Sequence, residues 1–269
     1  MRIYISCDME GITGIPDWDY AMRDKLDYGV GRELMVGEVN SAIEGALAAG
    51  AKEIIVNDSH ASMINLIPEK VHKSAKIIQG IAKPLSMMQG IDFGKYDAAL
   101  FLGYHAQAGT NLGIMGHTYS GAFIKCEVNG KEFGEFGLNS ALCGYFNVPV
   151  VFVSGDEGVC KEAKKHIPQI ETMAGKKGFG KKVGLSLHPA IAREKIKAGV
   201  INALKKVKTI PPFKVKSPVK LKVELSDVSH ADLCTRIPNI IRLSGRELLF
   251  KHKEYLECFK AFLCIMSIA

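Results

Sequence analysis

The chain has 269 residues, 47% of them hydrophobic and 23% charged, which is typical of a soluble globular protein with ample length for a core. Residues 1–150 carry 12 Lys and Arg against 17 Asp and Glu, whereas residues 151–269 carry 23 against 11. The lysines of the second half are dispersed over helix-like stretches, which favours a solvated face over a nucleic-acid surface. The most apolar stretch, residues 259–269, is too short to span a bilayer. We therefore expect neither nucleic acid nor a membrane as a partner.

Cysteine usage indicates a reducing compartment. Seven cysteines are present and no Cys-X-X-Cys pair occurs, so neither a thiolate zinc ribbon nor a thioredoxin-like site is expected. Most of them, including Cys143, Cys160, Cys258 and Cys264, stand in apolar runs, which is typical of small buried hydrophobic residues. The chain begins directly with a strand-like segment and lacks the apolar region of a signal peptide. Together these features predict a cytoplasmic protein.

Strand-like and helix-like segments alternate in the first half of the chain. Strands are predicted at residues 2–7, 52–57, 75–79, 98–103 and 148–154, and helices at residues 31–49 and 137–146. Runs of β-branched residues between helices favour a mostly parallel sheet that helices cover on both faces. Asn129-Gly130, within residues 124–133, predicts a β-hairpin between the fourth and fifth strands.

The second half is less regular. Its pattern predicts helices at residues 157–166, 189–207 and 254–268, a strand at residues 219–225, and an extended connector rich in Pro and Lys at residues 209–218. We therefore expect an α/β fold in which residues 1–160 form the main domain. Residues 161–269 form a smaller α+β part that completes the fold.

Reactive side chains collect where the predicted parallel strands end. Asp8 and Glu10 follow the first strand, His60 follows the second, and His105 follows the fourth. In an open parallel sheet, ligands bind beyond the carboxyl ends of the strands, so we expect these four side chains to converge. Asp8 and Glu10 stand two residues apart and would point the same way in an extended backbone.

This combination of side chains predicts a metal site. Two adjacent carboxylates repel each other unless a proton or a cation lies between them. Imidazole beside them favours zinc, with manganese or cobalt next, over magnesium or calcium. Two histidines with two or more carboxylates exceed what one tetrahedral zinc needs, and they fit two metal ions about 3.5–4 Å apart.

Simpler roles are expected for other residues of these types. An isolated Asp at a strand end is ordinarily a helix cap or a turn residue, which is our interpretation of Asp58 and Asp156. Surface or hydrogen-bonding roles are expected for the histidines at positions 72, 166, 188, 230 and 252. Residues 178–182 are rich in Gly and Lys but lack the spacing of a phosphate-binding loop.

Two more residues, His117 and Glu135, carry side chains that could take part in such a site. His117 lies in a predicted loop of small residues, 113–120, and Glu135 lies in the first turn of the helix that follows the hairpin. A carboxylate at that position can simply favour the helix dipole. The pattern alone therefore assigns neither residue to the metal site.

Five motifs resemble those of the D-aminopeptidase family (peptidase family M55), in the same order and with similar spacing through residues 1–155. They are SCDMEG at residues 6–11, VNDSH at 56–60, LGYHA at 102–106, MGH at 115–117 and GEFGLN at 134–139. Residues 83–87 and 150–156 resemble further family segments, and the chain beyond about residue 160 matches only loosely. The ordered combination is far more specific than any single motif.

The resemblance implies a zinc-dependent aminopeptidase with two zinc ions per subunit that acts on short peptides with an amino-terminal D-residue, typically D-alanine. The metal ligands would be Asp8, Glu10, His60, His105 and Glu135. His117 would be the catalytic histidine that binds no metal. The resemblance also implies a closed, ring-like homo-oligomer, with residues 1–160 as the catalytic domain and oligomer contacts in residues 161–269.

For the mechanism we hypothesise a water molecule that the two metal ions activate. His117 then either transfers a proton to the leaving amine, which we favour, or attacks the carbonyl directly. One alternative function is a metal-dependent amidohydrolase or peptidase that acts on L-peptides or a cyclic amide. A second alternative is a peptide-binding protein that has lost turnover.

Overall fold

The computed structural model describes all residues, 1–269. It contains twelve strands: β1 (Arg2–Cys7), β2 (Glu53–Asp58), β3 (Ala75–Ile78), β4 (Ala98–Tyr104), β5 (Phe123–Val128), β6 (Lys131–Glu132), β7 (Val150–Asp156), β8 (Glu171–Gly180), β9 (Val183–Ser186), β10 (Val219–Leu225), β11 (Ile241–Arg242) and β12 (Glu247–His252). It contains six α-helices: α1 (Tyr28–Ala48), α2 (Glu135–Tyr145), α3 (Glu157–His166), α4 (Pro189–Lys205), α5 (Val228–Cys234) and α6 (Tyr255–Ile268).

A seven-stranded sheet forms the centre of the molecule, in the order β3-β2-β1-β4-β7-β8-β9. All neighbours in it are parallel except β8 and β9, which are antiparallel. Every residue of β4 and of β7 is buried, as expected for strands covered on both faces. Helices α1 and α4 pack against each other, and α2 packs against α3. The predicted α/β architecture, a mostly parallel sheet flanked by helices, is thus confirmed.

The register of the central strands places their carboxyl ends at one level. Cys7 of β1 pairs with Asp58 of β2 on one side and with Leu102 of β4 on the other. The residues that follow these three positions therefore leave the sheet side by side. This register brings the chain segments after β1, β2 and β4 to the same crevice.

A second, antiparallel sheet has the order β11-β12-β10-β5-β6. The hairpin predicted at Asn129-Gly130 is confirmed as the β5–β6 connection, where both residues have positive φ, 51° and 76°. Side chains of β10 alternate between buried and more exposed positions, because one face packs inward and the other meets solvent. Helix α6 packs against this sheet and against α2, which joins the sheet to the central core.

Each of the two sheets contains strands from both sides of residue 160. Strands β8 and β9 lie after that residue but extend the central sheet, whereas β5 and β6 lie before it but belong to the antiparallel sheet. The division at residue 160 therefore remains a prediction about folding units and does not separate the sheets. The sequence reading also missed β8, β9, α5, β11 and β12, which are short or lack a clear period.

All seven cysteines are free thiols. Six of them are buried, as expected for small hydrophobic residues, but Cys264 is exposed, so that part of the prediction is wrong. Cys264 stands on α6, whose amphipathic turn carries it to the solvent side. No helix has both the length and the apolar character needed to cross a membrane.

Candidate metal centre

The end of β1 is held against the end of β4. The backbone N–H of Asp8 donates to the carbonyl of Leu102 at 2.8 Å, and that of Gly11 donates to the carbonyl of Gly103 at 2.7 Å. A Cβ atom on Gly11 would lie 1.8 Å from the carbonyl oxygen of Tyr104, so only glycine permits this approach. The chain turns sharply here, and the predicted extended backbone between Asp8 and Glu10 is therefore wrong, although the two carboxylates do converge.

The five predicted ligands form one buried cluster. The Nδ1 atom of His60 lies 2.8 Å from Glu10 Oε2 and 3.3 Å from Asp8 Oδ1. The Nε2 atom of His105 lies 3.5 Å from Asp8 Oδ2 and 3.3 Å from Glu135 Oε1. Each of the five residues is 2–3% exposed. Glu135 is the first residue of α2, so the helix start carries its carboxylate to the strand ends.

Backbone carbonyls orient the two histidines. The Nε2 atom of His60 lies 2.8 Å from the carbonyl oxygen of Ala21, and the Nδ1 atom of His105 lies 3.0 Å from that of Ala106. A carbonyl only accepts hydrogen bonds, so each of these ring nitrogens carries a proton and donates it. The other nitrogen of each ring, Nδ1 of His60 and Nε2 of His105, therefore faces the carboxylates. Burial lowers the pKa of both rings, but the charges of Glu10 and Glu135 outweigh it and raise the pKa of His60 and of His105 well above the usual value. A metal ion at this position would take the place of the second ring proton, as in metal-binding histidines.

Unsatisfied polar atoms show that the cluster fits a cation. Asp8 Oδ2 and His105 Nε2 are buried without a hydrogen-bond partner. Ligand atoms of Asp8, Glu10 and His60 lie within 4.8 Å of one another, and so do those of Asp8, His105 and Glu135. Asp8 belongs to both groups. Carboxylate oxygen and imidazole nitrogen are a donor set that zinc accepts.

The electrostatics of the cluster agree with this fit. Burial, and then the neighbouring charge of Glu10, raise the pKa of Asp8 well above its usual value. Burial acts in the same direction on Glu10, but His60 and the other imidazoles outweigh it and hold the pKa of Glu10 well below its usual value. Two carboxylates this close cannot both ionise without a positive charge beside them.

His117 stands at the mouth of this cluster. Its ring stacks on that of His105 with centroids 4.3 Å apart, and the centroid of the Trp18 ring lies 5.4 Å from that of His117. Its Nδ1 donates to the carbonyl of Met115 at 2.9 Å, which leaves Nε2 3.8 Å from Glu10 and 3.6 Å from Glu135. Burial and the neighbouring His105 lower the pKa of His117, which favours the neutral ring.

Glu10, His105 and His117 form a third group with spacing that suits a metal. The distances from His117 to the carboxylates are the longest in the cluster, and its side chain is 16% exposed, against 1–4% for the others. Glu10 and His105 already belong to the two tighter groups. Geometry therefore favours His117 as a residue beside the centre rather than in it.

A network of hydrogen bonds holds the carboxylate of Glu135 and the residues packed beside it. The backbone N–H of Tyr119 donates to Glu135 Oε1 at 2.7 Å, and the Tyr119 hydroxyl donates to Asn139 Oδ1 at 2.7 Å. The amide of Asn139 donates to the hydroxyl of Tyr104 at 3.0 Å, and that hydroxyl lies 2.7 Å from Ser6 Oγ. Buried, satisfied networks of this kind hold side chains in one arrangement.

Lys176 anchors the turn that carries Glu10. It lies on β8 and is only 2% exposed, and its ammonium donates to the carbonyls of Glu10 and Ile15. Burial lowers its pKa to about 8. Sequence reasoning missed Lys176, because the pattern of residues 171–180 carries no metal-site signal.

The cluster opens into a pocket of about 310 Å³. Its walls include Trp18, Tyr119, Lys181 and Met266, none of which was predicted as a site residue. Trp18 is the only tryptophan of the chain, and this feature of the sequence could have singled it out as a candidate site residue. Lys181 and Met266 come from the second half of the chain, so only the tertiary structure brings them here.

The simpler assignments are confirmed where the structure tests them. Asp156 caps α3 and accepts a hydrogen bond from the N–H of Val159 at 2.8 Å. Asp58 accepts hydrogen bonds from a turn, including that of Leu66 N–H at 2.7 Å. The Gly- and Lys-rich segment at 178–182 spans the turn between β8 and β9.

The chain is similar to known proteins of one family over nearly its whole length. The family model described as D-aminopeptidase matches residues 1–264. The D-aminopeptidase of Bacillus subtilis (strain 168) is 36% identical over 270 residues, which cover 100% of this chain and 98% of that protein. A solved structure, described as the Zn-dependent D-aminopeptidase DppA from Bacillus subtilis, a self-compartmentalizing protease, superposes with a TM-score of 0.96 at 35% identity. That match covers 100% of this chain and 97% of the other.

Proposed function

This chain belongs to the D-aminopeptidase family and is a hydrolase of peptide bonds, and from that premise we propose that it is a zinc-dependent aminopeptidase that removes a D-residue from the amino end of short peptides. The observation that carries the proposal is the pair of overlapping donor groups that share Asp8. The zinc dependence and the D-specificity of the solved relative support the choice of metal and of substrate.

The proposed centre holds two zinc ions per subunit, with manganese or cobalt able to replace them. Asp8, Glu10 and His60 would hold one ion, and Asp8, His105 and Glu135 would hold the other. Support comes from the two donor groups, which have one oxygen of Asp8 facing each imidazole, at 3.3 Å from His60 and 3.5 Å from His105. Bound zinc supplies the Lewis acidity that activates a water molecule and polarises the scissile carbonyl.

His117 is proposed as the catalytic residue. Its Nδ1 is occupied by the Met115 carbonyl, so Nε2 is the atom that can exchange a proton in the pocket. A neutral imidazole can accept a proton at Nε2 from the attacking water and then pass that proton to the leaving amine. Stacking on the ring of His105 and a tilted contact with the ring of Trp18 hold the His117 ring in place for this transfer.

The test is a cleavage assay with protein loaded with zinc. We expect alanine release from D-Ala-D-Ala, little or none from L-Ala-L-Ala, and loss of activity with a chelator that zinc restores. Selective cleavage of L-Ala-L-Ala or of a cyclic amide would support the alternative amidohydrolase or peptidase. Tight binding of D-Ala-D-Ala without cleavage would support the peptide-binding alternative. Activity that survives complete zinc removal would contradict the metal centre.

A ring-shaped homo-oligomer in the cytoplasm completes the proposal. The solved relative is described as self-compartmentalizing, which supports assembly of copies of this chain. Strand β9 is an edge strand with all four residues exposed, and edge strands of this kind readily pair with another chain. Light scattering in solution would measure the number of subunits, and a monomer would contradict the assembly.

A further inference from the structure

A large apolar groove adjoins the pocket of the metal centre. Its volume is about 1070 Å³, against about 310 Å³ for the pocket. We call it the C-terminal groove, because α6 forms one wall. The other walls are formed by residues 61, 63, 81–84, 86 and 236–238. The two cavities share Ala61, Met63, Ser86 and Met266 in their walls, so they lie directly beside each other.

The boundary between the cavities has an unusual backbone. Three residues that line both cavities, Ala61, Met63 and Ser86, have positive φ, at 45°, 55° and 48°, and so does Ala82 of the groove, at 63°. None of them is glycine, and L-residues adopt this conformation only at a cost in energy. Strained residues of this kind cluster at ligand clamps, where the surrounding structure holds them.

Charge differs between the two cavities. Asp8, Glu10 and Glu135 line the pocket. The groove contains no Asp or Glu, and its basic residues are Lys83, Arg236 and Lys260. Lys83 donates to Asn57 and to backbone carbonyls, and Lys260 pairs with Glu257, whereas Arg236 forms no ion pair. Arg236 is therefore the cation that is free to meet an anionic ligand.

Resting on the proposed function, we infer that the C-terminal groove binds the part of the peptide that follows the cleaved bond. An aminopeptidase cleaves after the first residue, so only one residue lies on the amino side of the cluster. The rest of the peptide must extend out of the small pocket, and the groove lies directly beside the pocket, with four wall residues in common. The apolar walls fit hydrophobic side chains, and Arg236 fits the terminal carboxylate. The substrate class is short peptides with apolar residues after the amino-terminal D-residue.

The first test compares D-Ala-Leu-Leu with D-Ala-Gly-Gly. Burial of the leucine side chains is expected to raise kcat/KM about tenfold or more, mainly through a lower KM. Equal kcat/KM values for the two peptides would overturn the groove inference and leave the proposed function intact. Failure to cleave either peptide would overturn the proposed function and the groove inference with it.

Exposed residues of the groove allow a second test that leaves the core unchanged. Ile81 is 76% exposed and Ile268 is 37% exposed. The double variant Ile81→Ser, Ile268→Ser is expected to reduce the preference for D-Ala-Leu-Leu about fivefold. Leu26→Ser, at a position 97% exposed outside the groove, is the matched control and keeps the preference.

Arg236 is tested with the amide of D-Ala-Leu-Leu, which lacks the terminal carboxylate. We expect kcat/KM about threefold lower for the amide, and no such difference in Arg236→Gln. Lys195→Gln, on the exposed face of α4, is the control.

The double isoleucine variant can contradict the inference in two ways. If its preference for leucine persists, or if the variant dissociates into smaller assemblies, the groove is not a peptide site. Dissociation would assign it to a second copy of this chain.

Discussion

The two sheets of this protein differ in what they contribute to the metal centre. Parallel strands point the same way, so the ends of β1, β2 and β4 meet at one edge and deliver Asp8, Glu10, His60 and His105. Neighbouring strands of the antiparallel sheet point in opposite directions, so their ends divide between two edges. That sheet supplies no member of the cluster. It supports α6, which forms a wall of the pocket and of the groove.

The difference predicts a gradient of effects. Substitutions at the ends of the parallel strands should abolish peptide hydrolysis. Substitutions of residues that support those ends without belonging to the cluster should weaken metal binding. Changes on the side of the antiparallel sheet should alter stability and substrate preference while the chemistry survives. Four variants test this order.

The largest effect is expected for Asp8→Asn. The substitution keeps the shape of the side chain but removes the charge that the two donor groups share. We expect kcat/KM to fall about 10³-fold or more, because the metal ions provide several kcal/mol of transition-state stabilisation. Zinc content per subunit, measured by atomic absorption, should fall together with activity. The exposed Asp92→Asn serves as control, and full zinc content in Asp8→Asn would contradict the proposal that Asp8 is a ligand shared by both ions.

His117→Ala should separate chemistry from metal binding. Loss of a proton-transferring group is expected to reduce kcat about 10²–10³-fold, while zinc content stays unchanged. Steady-state kinetics and metal analysis measure the two quantities. His72→Ala, at a histidine outside the pocket, is the comparison. Near-normal turnover would remove His117 from the mechanism, and loss of zinc would make it a ligand.

Lys176→Met is expected to lower metal affinity indirectly, through the backbone of Glu10. The Lys176 ammonium holds the carbonyl of Glu10, and loss of such a supporting contact typically costs about 10–100-fold in metal affinity. Competition with a chromophoric chelator gives the zinc dissociation constant. The neighbouring Lys177→Met is a matched control, because Lys177 is exposed on the same strand. Equal zinc affinity in the two variants would contradict the anchoring role.

The smallest effect on chemistry is expected for Tyr119→Phe, next to the antiparallel sheet. The backbone N–H that donates to Glu135 remains, but Asn139 loses the hydroxyl that it accepts from. We expect unfolding free energy to fall by about 1–3 kcal/mol, because a buried acceptor loses its partner. Urea denaturation measures this, and kcat/KM should change less than about threefold. A much larger loss of activity would place the Tyr119 hydroxyl in the chemistry.

The sequence pattern predicted much of the central sheet, because the strands and the helix cap are specified by residues adjacent in the sequence. Strands β1, β2, β4 and β7 are continuous apolar runs, and α3 begins at the Asp156 cap and ends at His166 as predicted. The hairpin was readable because Asn129-Gly130 accepts positive φ at both positions. By contrast, β8 contains three glycines and two lysines, and its place beside β7 depends on long-range packing.

The sequence by itself determined the cluster of Asp8, Glu10, His60 and His105, because parallel strand ends meet wherever the sheet forms. The ordered motifs added Glu135 and His117, which periodicity alone could not assign. Only the tertiary structure decided that Lys176 lies beneath Glu10 and that Met266 joins the pocket to the C-terminal groove. These residues stand more than 150 positions from Glu10, and no local pattern specifies contacts between segments so far apart along the chain.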